Sequence, residues 1–387
     1  MPEAVIVDAV RTPIGRAFKG SLTEIRPDDM AAFVIDQLLE RNPDVDPASV
    51  YDVMCGCGMT QGEQAFNIGR TASLLSEKLP ISVTGATVAR YCASSLNAIQ
   101  IAADTIRAGT ADVYIAAGVE SVTRAGPNSE ATLPDTQNPR LQGKDGDPNV
   151  YISMGETAEN VAEKFGVKRE DMDEFAARSQ NLAVESRDQG FFDREIVAVT
   201  TPDGNTVDKD DGPRPGTTVE KLAELQPVFR EGGSVTAGNS CPLNDGAAAV
   251  LLTSDEKAQE LGLKPRARVI AAATSGLEPE IMGVAPIGAI HNVLQKAGMT
   301  IGDVDVVELN EAFAAQVIPI MEKCEIPIEK LNPHGGAIAL GHPFGMTGAR
   351  IMTTLLNDLE TDDKQIGLET MCVAGGQGFA MIVERMN

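Results

Sequence analysis

The 387-residue sequence has few of the side chains that zinc sites and disulfide frameworks require. It contains three histidines, no tryptophan and six cysteines, none of them in a CxxC pair, which argues against structural zinc and against a disulfide-stapled fold. Basic side chains are scarce as well, 32 against 56 acidic ones, and a net charge of −24 repels nucleic acid and anionic lipid. We therefore expect no metal site and no nucleic-acid partner.

Long apolar runs are missing too. No stretch reaches the roughly 18 uncharged apolar residues that a membrane helix needs, and residues 1–10 carry no basic leader. Apolar residues make up 43% of the chain and charged residues 23%, which is typical of a folded globular protein. We expect a cytoplasmic protein without membrane insertion.

Apolar runs alternate with helical periodicities along the chain and predict an α/β fold. The first half has predicted strands near residues 5–10, 53–58, 82–88, 113–118 and 247–253, and predicted helices near 28–40, 66–77 and 92–107. The second half repeats this order, with strands near 269–273, 304–310, 366–372 and 379–384, an extended piece at 331–336, and helices near 286–297, 312–323 and 347–359. This order predicts two βαβαβαββ halves built on parallel sheets that are covered by helices.

A segment with a different composition separates the fourth and fifth strands of the first half. It is rich in proline, glycine and aspartate and contains predicted helices at 154–165 and 169–188. We predict three domains: a first half of residues 1–120 plus 245–265, an inserted cap domain of residues 121–244, and a second half of residues 266–387. Because ligands of such sheets bind beyond the carboxyl ends of the strands, an insertion at that edge covers the site.

Cys92 is the first candidate for a reactive side chain. It stands at the head of a helix within residues 88–109 that is apolar or small on all faces, where free N–H groups and the helix dipole favour a thiolate. The alternative is an inert core cysteine. His342 directly precedes the corresponding helix of the second half, so the duplication places it opposite Cys92. His291 lies on a predicted solvent face and His334 in a glycine-rich turn, and neither has this support.

Two further candidates lie at predicted strand ends on the same side of the fold. Asn310 ends a strand in the run NEAF, and Cys372 begins the glycine-containing run CVAGGQG. Glycines there let backbone N–H groups approach an oxyanion. A second cysteine beside a histidine and a candidate thiolate indicates thiol acid/base chemistry, which suits carbon–carbon bond chemistry on thioesters.

The sequence resembles the thiolase family in five motifs that occur in order: YCASSLNAI around Cys92, GNSCPLNDGAAA, NEAFAAQ, GGAIALGHPFGMTGARI and CVAGGQG. The resemblance implies a layered αβαβα fold with an inserted loop domain. It also implies that Cys92 carries the acyl group, His342 activates it, Asn310 positions a water and Cys372 serves as general acid and base. One oxyanion hole would combine His342 with that water, and the other the N–H groups of Cys92 and Ala374.

The resemblance also implies ligand contacts. Coenzyme A enters as co-substrate, with no prosthetic group, and Ser240 and Cys241 are candidate contacts. Arg214 is a further candidate because it is a basic residue of the inserted segment, with solvated surface charge as the alternative. Ser153 and Met154 are the candidates for the wall of the acyl pocket, where the short-chain branch of the family commonly has a histidine in place of Ser153. Three departures from the family pattern concern the site: Ala89 stands where many relatives have an asparagine, Ala374 replaces a common glycine, and Cys241 a common serine.

The sequence therefore predicts a degradative 3-ketoacyl-CoA thiolase of fatty-acid β-oxidation, which cleaves its substrate with CoA into acetyl-CoA and a shortened acyl-CoA. The main alternative is a biosynthetic acetyl-CoA acetyltransferase. A decarboxylative ketosynthase would need a histidine at the position of Cys372, although His334 stays open as that partner. A catalytically silent subunit is the non-enzymatic alternative. We expect a homodimer or homotetramer, with association with a hydratase/dehydrogenase subunit as a further option.

Overall fold

The computed structural model describes residues 2–125 and 136–386, so residues 126–135 of the predicted cap domain lie outside the described residues. The first half begins with β1 (Ala4–Arg11), β2 (Gly15–Arg16), α1 (Pro27–Arg41), β3 (Asp52–Gly56), α2 (Ile68–Leu75), β4 (Thr84–Val88), α3 (Ser94–Arg107) and β5 (Val113–Ser121). The inserted segment contains α4 (Val122–Ala125), α5 (Met154–Phe165), α6 (Arg169–Asp188), β6 (Val199–Thr200), β7 (Thr206–Val207) and α7 (Val219–Ala223). The half ends with β8 (Asn244–Ser254) and α8 (Asp255–Glu260).

The second half repeats the order of the first. It consists of β9 (Ala267–Gly276), α9 (Pro286–Ala297), β10 (Val306–Leu309), α10 (Ala314–Lys323), α11 (Ala337–Leu340), α12 (Thr347–Thr361), β11 (Ile366–Val373) and β12 (Gln377–Arg385). The strands run β4–β3–β5–β8–β1 across the first half and β10–β11–β12–β9 across the second. Leu331 forms a parallel bridge to Val307 of β10, at the position that β4 occupies beside β3 in the first half. The predicted duplication is therefore confirmed, although the extended piece at 331–336 is a single bridge.

The strand directions are mixed, so the prediction of parallel sheets is wrong for part of each half. Strand β3 pairs parallel with β4 and β5, and β10 pairs parallel with β11, as helical crossovers require. Strand β8 runs antiparallel to β1 and β5, and β12 antiparallel to β9 and β11. The physical reason is the connection, since β12 follows β11 through a tight turn and no helix carries the chain back.

Three buried apolar clusters define the layers of the fold. The central cluster contains α3 and α12 together with one face of the strands from both halves. A second cluster joins α1 and α2 to the other face of the first half, and a third joins α9 and α10 to the other face of the second half. Neighbouring residues of one strand, such as Met381 and Ile382, belong to different clusters, so both faces of the sheet are covered in each half, and β1 pairs with β9 to join the two halves.

The two central helices pack backbone against backbone near their N-termini. A Cβ atom added at Gly348 of α12 would overlap the backbone nitrogen of Leu96 in α3. The neighbouring loop is equally close, because a Cβ atom at Gly118 would overlap the carbonyl oxygen of Gly345. These glycines allow the starts of α3 and α12 to lie side by side at the centre of the molecule.

The inserted segment packs on the second half. Residues of α5 and α6, among them Ala158, Met172 and Phe175, share a buried cluster with α9 and α10. The segment therefore lies beside the ends of β10 and β11, where Asn310 and Cys372 are found. Among the described residues, no helix combines the length and the apolar character that crossing a bilayer requires.

Candidate active site

Cys92 lies in a short 3₁₀ turn, Tyr91–Ala93, directly before α3. It was expected in the first turn of the α-helix, which begins two residues later at Ser94. Tyr91 has a φ of 43°, in the left-handed region that side chains other than glycine rarely adopt. Such strain persists only where surrounding structure enforces it and often marks a functional site.

Cys92 and His342 are in direct contact. The cysteine Sγ lies 3.1 Å from His342 Nε2, and both residues are buried, with exposed fractions of 7% and 1%. The backbone N–H of His342 donates to Asn244 Oδ1 at 2.9 Å, which holds the histidine loop against β8. The prediction that the duplication brings these two helix starts together is confirmed.

Thr347 fixes the tautomer of His342, a role that the sequence did not reveal. The threonine hydroxyl donates to the carbonyl oxygen of Pro343 at 2.8 Å and lies 2.6 Å from His342 Nδ1. Since the single hydroxyl proton is directed to the carbonyl, Nδ1 carries a proton and donates it to the threonine oxygen. Nε2 is then unprotonated and faces the thiol of Cys92 as an acceptor.

The ionisation of the pair differs from the expectation. Burial is the main cause that raises the pKa of Cys92 well above its usual value, and nearby Cys372 and Cys241 add to this rise. Burial also lowers the pKa of His342 to about 3, with help from the Arg350 guanidinium. Both shifts oppose the preformed thiolate that the helix start predicted. They favour a neutral thiol beside a neutral imidazole, with the proton moving when Sγ attacks.

This neutral pair predicts an unusual pH dependence for alkylation of Cys92 by iodoacetamide. We expect Cys92 to react first among the six cysteines, with a rate that changes less than about twofold between pH 6 and 8, because His342 stays neutral above pH 3. An unassisted thiol below its pKa reacts about tenfold faster per pH unit. Peptide mass mapping at several pH values measures both the order of alkylation among the cysteines and the rate at Cys92.

His342→Ala is the control. Its Cys92 should be alkylated more slowly and at a rate that rises steeply with pH. A steep pH profile in the unmodified protein would contradict the neutral pair.

Asn310 completes the cluster around His342. Its Nδ2 lies 3.3 Å from His342 Nε2, and its Oδ1 is buried without a hydrogen-bond partner among residues 2–125 and 136–386. The residue directly follows β10 and is fully buried. An unpaired carbonyl oxygen in a buried site is costly, so this oxygen is available to a water or a substrate.

Cys372 lies on β11, and its sulfur contacts Gln316 of α10. Gln316 Nε2 donates to Sγ at 3.1 Å, and both side chains are buried. Burial is the larger effect and raises the pKa of Cys372 to about 11, while the hydrogen bond from Gln316 lowers it. Cys372 also contributes to the raised pKa of Cys92, so the two sulfurs lie within electrostatic reach of each other.

The other predicted residues near the cysteines line the same region. The Cys241 N–H donates to the carbonyl oxygen of Ala312 at 3.0 Å, and burial raises the pKa of its thiol to about 12. Ser240 is buried, and its hydroxyl donates to Thr236 O at 2.7 Å. Ala374 lies in the turn directly after β11, and its carbonyl oxygen accepts from Gln377 Nε2 at 3.3 Å.

The remaining candidates lie on the inserted segment. Ser153 is exposed, and its hydroxyl accepts from Glu156 N at the start of α5, so it caps this helix. Met154 is partly buried against the third cluster. Arg214 is exposed, and the pKa of its guanidinium is lowered by partial burial and by the nearby Arg16.

His334 and His291 are placed away from the cysteines. His334 Nδ1 lies 2.8 Å from the Ser186 hydroxyl, and its ring stacks on Phe191 at a centroid distance of 3.6 Å. Its Nε2 lies 3.6 Å from Asp358. His291 is exposed on α9, as expected. Neither histidine forms a hydrogen bond with Cys92 or Cys372 among the described residues.

Comparison with known proteins gives the family. Models of the thiolase N-terminal and C-terminal domains match residues 4–256 and 263–385. The chain belongs to the thiolase family. The resemblance inferred from the motifs is thereby confirmed, and this thiolase is an acyltransferase with the layered α/β fold expected for the family.

Similar proteins cover the whole thiolase chain. It is 46% identical to a beta-ketoadipyl-CoA thiolase of Acinetobacter baylyi over 100% of both chains. It is 44% identical to a 3-ketoacyl-CoA thiolase of Idiomarina loihiensis, again over 100% of both. The crystal structure of the dimeric peroxisomal thiolase of Saccharomyces cerevisiae superposes with a TM-score of 0.93 at 39% identity, covering 100% of this chain and 98% of that one. Thiolytic cleavage is the reaction class that these relatives share by name.

Proposed function

We propose that this thiolase cleaves 3-ketoacyl-CoA with CoA through an acyl group on Cys92. The observation that carries the proposal is the 3.1 Å contact between Cys92 Sγ and an Nε2 atom whose tautomer is set to accept a proton. Among the described residues, no other cysteine makes a hydrogen bond with a histidine. Coenzyme A is the co-substrate in this proposal, and the chain itself supplies all acid and base groups.

The first half-reaction transfers the acyl group. The Cys92 thiol gives its proton to His342 Nε2 as Sγ attacks the 3-keto carbon, and the bond between the second and third carbons then breaks. The electron pair of that bond forms the enolate of acetyl-CoA, which takes the proton from the Cys372 thiol. Acetyl-CoA leaves, and the shortened acyl group stays on Cys92 as a thioester.

The second half-reaction returns the acyl group to CoA. The incoming thiol gives its proton to the Cys372 thiolate and attacks the thioester carbonyl. The tetrahedral intermediate collapses, acyl-CoA leaves, and Cys92 regains its proton from His342. Cys372 therefore acts as an acid in one step and as a base in the other, which restores every group to its starting state.

Oxyanions form on the substrate in both steps and need hydrogen-bond donors. We assign one hole to His342 and a water held by Asn310, because the unpartnered Asn310 Oδ1 is a buried acceptor beside the histidine. We assign the other to the N–H groups of Cys92 and Ala374, since both lie at turns beside the two sulfurs. Neither assignment requires a metal.

We assign the acyl chain of the substrate to the apolar side chains where the insertion meets the second half. The Phe229 ring packs on Gly155, where an added Cβ atom would overlap it, and lies edge-on to Phe313 at 6.0 Å. Met154 precedes Gly155 and packs on the cluster that contains Phe313, and Phe229 is 40% exposed. The basic residue next to Phe229 in the chain, Arg230, forms a salt bridge with Glu156, with 2.7 Å between Nη2 and Oε2. These contacts support a degradative enzyme for medium or longer 3-ketoacyl chains, with β-oxidation as its role. The CoA contacts in this proposal are Arg214, Ser240 and Cys241.

A second candidate substrate is 3-oxoadipyl-CoA, which has a carboxylate at the far end of its acyl group. It is supported by the 46% identity to a beta-ketoadipyl-CoA thiolase. Binding this carboxylate requires a cation or several donors in the pocket. Arg230 would supply the cation only if it left Glu156.

A comparison of kcat/KM for 3-ketodecanoyl-CoA, 3-oxoadipyl-CoA and acetoacetyl-CoA tests the substrate class. We expect the ten-carbon substrate to be preferred about tenfold or more, because each buried methylene contributes roughly 0.8 kcal/mol. Phe229→Ala is the control, which should reduce this preference and leave acetoacetyl-CoA almost unaffected. A preference for 3-oxoadipyl-CoA would select the second candidate, and a preference for acetoacetyl-CoA would indicate a biosynthetic enzyme.

We also propose that the chain forms a homodimer. The support is its 39% identity to a yeast thiolase that is described as dimeric. A tetramer, or association with a hydratase/dehydrogenase subunit, stays a prediction from the sequence. Mass measurement by light scattering distinguishes these assemblies.

A further inference from the structure

Gln316 makes an unusual contact for a buried amide. Its Nε2 lies 3.1 Å and its Oε1 3.5 Å from the same sulfur, that of Cys372. The exposed fractions are 1% for Gln316 and 0% for Cys372. Among the described residues, no other side chain forms a hydrogen bond with this sulfur. The amide and the thiol are therefore each other's partners within an apolar surrounding.

Packing holds the amide in this position. Gln316 is the third residue of α10, and its backbone N–H donates to Phe313 O at 3.1 Å. Gly283 lies against the side chain, and a Cβ atom added there would be 2.9 Å from Gln316 Cβ. A glutamine with this little space cannot swing away from Cys372 without displacing its neighbours.

The amide also matches the chemistry of a sulfur that gains and loses a proton. A thiol is a weak donor that a carbonyl oxygen accepts, and a thiolate is an acceptor that an N–H group stabilises. Gln316 presents both groups to Sγ, so it can stay bonded in either state. An apolar side chain of the same size would remove the side-chain donor to a thiolate at this position and leave only the backbone N–H of Cys372.

We propose that Gln316 is a positioning residue for the acid and base function of Cys372, which it orients and whose thiolate it stabilises through Nε2–H. Only the effect of Gln316 on catalysis rests on the proposed function. The effect on the thiol itself is a property of the folded protein and can be measured without any substrate.

Alkylation of Cys372 measures this effect directly. The background is Cys92→Ser, which removes competition from the other sulfur, and the probe is iodoacetamide at pH 8 with peptide mass mapping. Gln316→Met should slow alkylation at Cys372 by tenfold or more, because a hydrogen bond to a charged group contributes enough to shift a pKa by about one unit or more. Below the pKa, each unit lowers the thiolate fraction tenfold at fixed pH.

The control is Gln180→Met, which removes another buried glutamine. Gln180 bonds Ile338 O and Arg214 N and does not contact Cys372, so this variant should alkylate at Cys372 within twofold of the background. Gln316→Leu provides a second apolar replacement if the methionine variant fails to fold. Unchanged alkylation at Cys372 in a folded Gln316 variant would overturn the inference.

Steady-state kinetics of thiolysis give the second measurement, which uses the protein with Cys92 intact. Gln316→Met should lower kcat for thiolysis about 10- to 100-fold and leave the KM for CoA within twofold, because the proton step is impaired and binding is not. A rise in KM with unchanged kcat would overturn the positioning role. Absence of thiolysis in the unmodified chain would instead refute the proposed function, and the alkylation result would still decide the inference about the thiol.

Discussion

Cys92→Ala is expected to lower kcat for thiolysis by about 10⁵-fold or more, as removal of a covalent nucleophile does in enzymes that depend on one. All six cysteines lie in the described part of the chain, and Cys92 is the only one whose sulfur contacts His342 Nε2. No other thiol can therefore take its place through the same base. The measurement combines a steady-state assay with intact-mass detection of the acyl group, and neither turnover nor an adduct should appear.

The matched control is Cys324→Ala. Cys324 is buried at the end of α10, and its N–H bonds Ile320 O within that helix. It should keep turnover within about twofold, with a loss of unfolding free energy of about 1 kcal/mol for the small cavity. Residual thiolysis of more than a few per cent in Cys92→Ala would show that the acyl group is carried elsewhere.

Cys372→Ala should separate the two half-reactions. This variant keeps the Cys92–His342 pair and should accept an acyl group from a reactive thioester that releases no enolate. Thiolysis of 3-ketoacyl-CoA should fall about 10²- to 10⁴-fold, the range typical of a lost general acid or base. Intact-mass spectra report the acyl adduct, and the steady-state assay reports turnover.

Cys241→Ala serves as the comparison for this experiment because its thiol is also close to Cys92 in electrostatic terms. It should change the KM for CoA more than kcat. If Cys372→Ala turned over at a near-normal rate while Cys241→Ala did not, the acid and base function would belong to Cys241.

The sequence predicted much of the fold because amphipathic periodicity is a local property. The predicted helices at 154–165, 169–188 and 286–297 have the same bounds as α5, α6 and α9. The order of elements also sufficed to predict that Cys92 and His342 would meet. Strand direction was missed, since an apolar run shows that a strand is buried and does not show which neighbour it pairs with.

The ionisation of the site was missed for a different reason. A cysteine near a helix start predicts a thiolate only if water or a cation can stabilise the charge, and here burial dominates. Burial of Cys92 depends on three layers of structure that no single segment encodes. Thr347 and Gln316 escaped notice because each resembles an ordinary helix residue. Both lie within the motifs NEAFAAQ and GGAIALGHPFGMTGARI, from which only Asn310 and His342 were given roles.

The backbone contact between α3 and α12 has a consequence for mutational tolerance. The separation of Cys92 and His342 depends on how closely two helices approach at Gly348 and Leu96, and not on the bulk of the side chains that cover the outer faces of the sheets. Substitutions in the outer clusters that touch neither Cys372 nor Gln316 therefore change how much of the protein is folded, and leave the contact between Cys92 and His342 in place. A single methyl group at Gly348 has the opposite character, because it would overlap the backbone of Leu96 and move the base away from the nucleophile. Directed evolution of this scaffold can thus vary most of its outer helices, provided that Gln316 of α10 and the glycines between the two central helices are kept.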